Sequence, residues 1–163
     1  MYLYLKQKVF TIRESLTFFD KNQQPVYTVK GSLLKIPHRL TICNAEGTAL
    51  IQVKTKIFAL LKTYNIIDFR SHKKIGRIKR RFSIGKNFSV AINGQASKVK
   101  GSLFGFQFEI VNKAGENMLS VKKKLISWGD SYEVFIDEAK INPEIACAVC
   151  IAFDNAVHNN KKR

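Results

Sequence analysis

The chain predicts an all-β protein with one helix: a closed antiparallel barrel of about twelve strands around a central, buried C-terminal helix. Three observations carry this. A segment of the form apolar-Lys-x-x-apolar recurs six times along the chain. Each recurrence sits among stretches in which apolar and polar residues alternate strictly, the mark of strands with one buried face. Near the C-terminus, Ile145 to Phe153 is apolar on every side, so a helix there must be buried all round.

The recurring segment begins at Leu5, Val29, Val53, Ile78, Val99 and Val121, and its lysines (Lys6, Lys30, Lys54, Lys79, Lys100 and Lys122) are separated by 24, 24, 25, 21 and 22 residues. A period in that range marks one supersecondary unit used repeatedly. Each unit opens with an alternating segment, such as Phe88, Val90 and Ile92, or Phe106, Phe108 and Ile110, or Tyr132, Val134 and Ile136. A turn follows, at Asp20-Lys21-Asn22, Asn44-Ala45-Glu46-Gly47, Asn93-Gly94 and Asn112-Lys113-Ala114-Gly115, all rich in residues that tolerate turn geometry. Asn93-Gly94 is the strongest hairpin signal, because both residues accept positive φ. The second strand then carries the lysine.

A meander of that length avoids exposed edges only by closing, and a barrel of that size has a lumen too wide for strand side chains alone. The C-terminal helix is the expected filling. Asn142 suits its N-cap, Pro143 its first position and Glu144 the positive end of its dipole, while Ala146, Cys147, Ala148 and Ala152 keep it slim. The expected domain runs over residues 1–160, with strands in 1–141, the core helix over 143–158 and a basic tail at 161–163.

The 28 Lys and Arg against 12 Asp and Glu give a net charge of +16, and the excess is lopsided: residues 1–108 hold 20 basic and four acidic side chains, residues 109–163 eight of each. Such an excess attracts polyanions and disfavours self-association, so a monomer is expected. Cys43, Cys147 and Cys150, an odd set beside apolar residues, suit a reducing interior. No secretory leader is expected, and no apolar run comes near the roughly 20 residues a spanning helix needs. A cytoplasmic location is expected, with a place at the inner face of a membrane left open.

In a strand, the two apolar residues of the signature point inward. The lysine and the residue two places on (Lys8, Lys56, Arg81 or Lys124) point outward. Gly31 and Gly101 share the inward phase, consistent with close approach of the filling helix. Most signature lysines therefore belong to a solvated face. One stretch is denser. Arg70, Lys73, Lys74, Arg77, Lys79, Arg80 and Arg81 place seven cations in twelve residues around His72. Alternation turns Arg80 inward between Lys79 and Arg81, so either a bulge lies there or Arg80 lines a pocket. These seven residues are the candidate anion contact, since arginine's planar fork suits phosphate.

The repeat, the Ser127-Trp128-Gly129-Asp130 turn with Tyr132-Glu133-Val134 after it, and the closing Cys150-Ile151-Ala152-Phe153-Asp154-Asn155-Ala156-Val157-His158-Asn159-Asn160 resemble the LURP-one-related family, from Lys6-Gln7-Lys8-Val9-Phe10 onward. Members of that family look like the tubby C-terminal domain and the phospholipid scramblases: a twelve-stranded barrel around a hydrophobic C-terminal helix. The tubby domain binds a phosphoinositide head group and scramblases act at membranes. By analogy, the resemblance implies a membrane-surface role.

The expected function is a non-catalytic module engaging anionic ligands, foremost phospholipid head groups. The alternatives are non-specific nucleic-acid binding, for which the pI of about 9.9 is an electrostatic footprint, and a protein-interaction scaffold. No helix-turn-helix, zinc-finger or RNA-recognition signature accompanies the charge. No nucleophile elbow or glycine-rich phosphate loop points to an enzyme. Cys147-x-x-Cys150 lacks the second pair of a zinc site, His38, His72 and His158 are scattered, and Trp128 is expected to anchor the last turn. No cofactor or metal is expected.

Overall fold

Alternation becomes pairing in the computed structural model of the chain, which describes residues 1–6, 16–32, 39–56, 61–81, 88–102, 106–126 and 129–158. Twelve strands follow one another: β1 (Tyr2–Lys6), β2 (Leu16–Phe19), β3 (Pro25–Ser32), β4 (Arg39–Asn44), β5 (Ala49–Thr55) and β6 (Thr63–Asp68). Then come β7 (Lys74–Arg80), β8 (Phe88–Ile92), β9 (Gln95–Ser102), β10 (Gln107–Val111), β11 (Asn117–Ile126) and β12 (Gly129–Ile136), before helix α1 (Pro143–His158). Every strand pairs antiparallel with its neighbours in sequence, and β1 pairs with β12, so the barrel is closed. The expectations for Lys8, Trp128, His38 and the 161–163 tail fall outside the described residues.

All the described turns between an even strand and the next odd one lie at one end, and each starts on an Asp or Asn. Asp20 Oδ1 accepts from the Asn22 and Gln24 amides, both at 2.8 Å. Asn44 Oδ1 accepts from Thr48 at 2.8 Å, Asp68 Oδ1 from Ser71 at 2.7 Å and Asn112 Oδ1 from Glu116 at 3.0 Å. A short side chain that satisfies its own turn closes each hairpin locally. At the β8–β9 connection, Asn93 and Gly94 take φ of 49° and 77°, the double positive φ of the tight hairpin expected there.

The helix begins as its sequence directs: Asn142 Oδ1 accepts the Glu144 amide at 3.1 Å. It runs inside the barrel, with every residue from Ala146 to Phe153 fully buried. It is not centred. Among the strands it lies nearest to β4–β7. The space toward β8, β10 and β12 is filled by rings: Phe153 meets Phe88 and Phe108 at centroid distances of 5.4 and 5.0 Å, and Phe106 meets Tyr132 at 4.7 Å. Near the far end of the helix, the buried Tyr64 hydroxyl donates to Asn155 Oδ1 at 3.3 Å, and burial pushes its pKa up to about 12.

One expectation needs correcting. Gly31 and Gly101 do not admit the helix; both are exposed. They have φ of 136° and 87°, and a Cβ would stand 2.2 Å from the Arg39 carbonyl oxygen or 2.7 Å from that of Gln107. The adjacent strand's backbone, not the helix, requires glycine at both places.

Two outcomes test this packing. Ala148 is fully buried, so Ala148→Leu overfills the lumen around α1 and should lower stability by about 1–3 kcal/mol in urea titrations; an unchanged midpoint would mean a loosely filled lumen. Because the raised pKa of Tyr64 favours the neutral phenol in the folded state, its contribution is intact below pH 10 and is lost as pH climbs toward about 12. Tyr64→Phe should therefore flatten part of the alkaline fall in melting temperature over that window.

A candidate anion-binding wall

The seven cations predicted from sequence all sit on the β6–β7 hairpin, but β7 spreads them. Arg70, Lys73 and Lys74 lie at the hairpin tip, while Lys79, Arg80 and Arg81 lie at the other end of the strand, roughly 20 Å away. Arg77 lies between. Neither the tip group nor the far group alone collects all seven.

Alternation survives at Lys79-Arg80-Arg81. Along β7, Gly76 and Ile78 are buried, Arg77 and Lys79 are exposed, and Arg80 is half-buried in the inward phase at the last strand position. Arg81 follows the strand and is exposed. The bulge is nearer the tip: Ile66 pairs with Gly76 and Ile67 with Lys74, which leaves Ile75 as the extra residue.

Neighbouring strands supply partners that sequence spacing does not reveal. Arg39 on β4 stands directly opposite Lys54 on β5. Lys54 stands opposite Asn65 on β6, which stands opposite Arg77 on β7. The row is an outward one, with Arg39 and Arg77 exposed and Lys54 half-exposed. Like charges directly opposed on a sheet cost a few tenths of a kcal/mol, roughly as much as an opposite pair stabilises. Lys54 and Arg77 are two strand spacings apart, about 10 Å, which is near a Debye length at physiological salt. Their potentials therefore add in front of the wall.

Over the described residues of β4–β7 and their turns, 39–56 and 61–81, there are eleven Lys or Arg and two acids, Glu46 and Asp68. Asp68 is held by Ser71, whose hydroxyl donates to it at 2.6 Å, and those hydrogen bonds keep its carboxyl below the usual range. Across the barrel, residues 106–126 and 129–142 carry five basic and six acidic side chains. That region holds the charge pairs Lys122–Glu133 at 3.0 Å, Lys140–Asp137 at 2.6 Å and the Met1 ammonium with Glu138 at 3.1 Å. Among the described residues, Arg39, Lys54, Arg77, Lys79, Arg80 and Arg81 have no acidic partner. The sequence showed the excess; the strand order shows that, among the described residues, most of it lies on one wall.

The described residues contain no group of three or more His, Cys, Asp or Glu able to hold a metal. Cys147 and Cys150 are fully buried, and burial pushes both thiols up, away from thiolate chemistry. No described helix is long and apolar enough to cross a membrane.

Comparison with known proteins agrees with this architecture. The chain is 28% identical to the uncharacterized protein YxjI of Bacillus subtilis (strain 168) over 160 residues, which cover 98% of this chain and 95% of that protein. It shares its fold with a protein of Arabidopsis thaliana solved by X-ray crystallography, at a TM-score of 0.63 and 15% identity, over 94% of this chain and 89% of the other. The family model described as LURP-one-related matches residues 1–154; with the closed barrel and its threaded helix, this makes the chain a member of the LURP-one-related family.

Proposed function

We propose that the protein is a non-catalytic binding module whose β4–β7 wall engages anionic phospholipid head groups at a membrane surface. The observation that carries this reading is the row Arg39, Lys54, Asn65 and Arg77, in register across β4–β7, whose three cations have no acidic partner among the described residues. A wall that only kept the protein in solution would gain from interspersed acids, as on the opposite side. A broad outer sheet face suits an extended anionic surface, and the one helix among the described residues is enclosed and so offers nothing to a nucleic-acid groove.

Each Lys or Arg near an anionic bilayer contributes about 1 kcal/mol. Lys54→Glu, Arg77→Glu and Lys79→Glu together should weaken co-sedimentation with phosphatidylserine vesicles by more than about a hundredfold, with the melting temperature unchanged or raised. Equal binding by the variant would sink the proposal. Duplex DNA, titrated beside the vesicles across a salt series, distinguishes the alternatives. Tighter binding to DNA than to vesicles at physiological salt would favour the nucleic-acid reading.

A further inference from the structure

Phe69, at the tip of the β6–β7 hairpin where the basic wall ends, is a large apolar residue left 39% exposed. Its surroundings are not a slack loop. The Phe69 amide donates to Leu50 O at 2.9 Å and the Asp68 amide to Lys73 O at 2.9 Å. The Ser71 amide and hydroxyl both bond Asp68 Oδ1. His72, at φ 56°, lets the chain reverse, and its ring stands 6.4 Å from that of Phe69. Around this ring, Arg70, Ser71, His72, Lys73 and Lys74 are all exposed.

We infer that the tip of the β6–β7 hairpin is a membrane-anchoring wedge: the barrel lies with its β4–β7 wall along an anionic bilayer and inserts the Phe69 ring into the interfacial layer. The inference rests on the proposed lipid-binding role and adds the anchor and the orientation. An exposed aromatic among cations matches the two components of such a surface, because the ring is favoured at the head-group boundary while Arg70, Lys73 and Lys74 meet the anionic heads. The turn is already ordered by its own hydrogen bonds, so insertion requires little further ordering. A purely electrostatic wall releases its target as salt rises. An inserted ring adds a part that salt does not screen.

Tyr2 provides the internal comparison. It is 54% exposed, more than Phe69, but β1 pairs with β12, on the less basic side of the ring. A general stickiness would implicate both; the wedge implicates Phe69 alone.

The test measures binding to phosphatidylserine vesicles at low and high salt. Phe69→Ser should weaken binding roughly three- to tenfold at physiological salt and remove most of what persists at high salt, whereas Tyr2→Ser should change neither. The three native cysteines are buried, so an environment-sensitive fluorophore placed on a Phe69→Cys variant labels the tip alone; its emission should shift to the blue on vesicle addition. If wild type binds vesicles but Phe69→Ser binds equally and the label does not shift, the wedge is overturned while the lipid-binding wall stands. If wild type does not bind acidic vesicles at all, both fall.

Discussion

The structure depends on one spatial requirement: a ring of twelve strands encloses more volume than strand side chains fill, and the protein meets it with its own last segment. An α-helix about 10 Å across threads the ring with no polar stripe from Ala146 to Phe153. It lies nearest to β4–β7, and toward β8 and β10 Phe153 packs against Phe88 and Phe108. The core thus joins segments far apart in the chain, because β1 pairs with β12 and the helix that follows β12 fills the ring.

That arrangement bears on the charge. The wall that the helix braces from inside is the wall that carries opposed cations outside. Apolar burial along α1 and the inward faces of β4–β7 is worth roughly 1.5–3 kcal/mol for each large side chain removed from water. It exceeds by far the few tenths of a kcal/mol lost at a like-charge pair such as Arg39 and Lys54. A stable inner face permits an outer face selected for something other than stability. On the far wall, Lys122–Glu133 and Lys140–Asp137 show the ordinary alternative, in which cations are interleaved with acids.

Much of the architecture was legible from sequence, because strand alternation, Asx turns and an all-apolar helix are local signals. The N-cap at Asn142 and the double positive φ at Asn93-Gly94 follow from a few residues each. The site was less legible. The seven cations from Arg70 to Arg81 are neighbours in sequence but span the length of β7, whereas Arg39, far away in sequence, faces Lys54 through strand pairing. The positive φ of Gly31 and Gly101 was hidden for the same reason: the constraint comes from an adjacent strand. The bulge at Ile75 was not legible because an apolar residue there gives no polarity cue, while the conspicuous Lys79-Arg80-Arg81 run simply ends the strand.

The most direct test of a lipid-facing β4–β7 wall is residue-by-residue amine acylation, read by mass spectrometry, with and without phosphatidylserine vesicles. The account predicts slowed modification at Lys54, Lys56, Lys73, Lys74 and Lys79, all on or beside that wall, and unchanged modification at Lys113 and Lys140 across the barrel. Protection spread evenly over all lysines, or concentrated on Lys113 and Lys140, would contradict it.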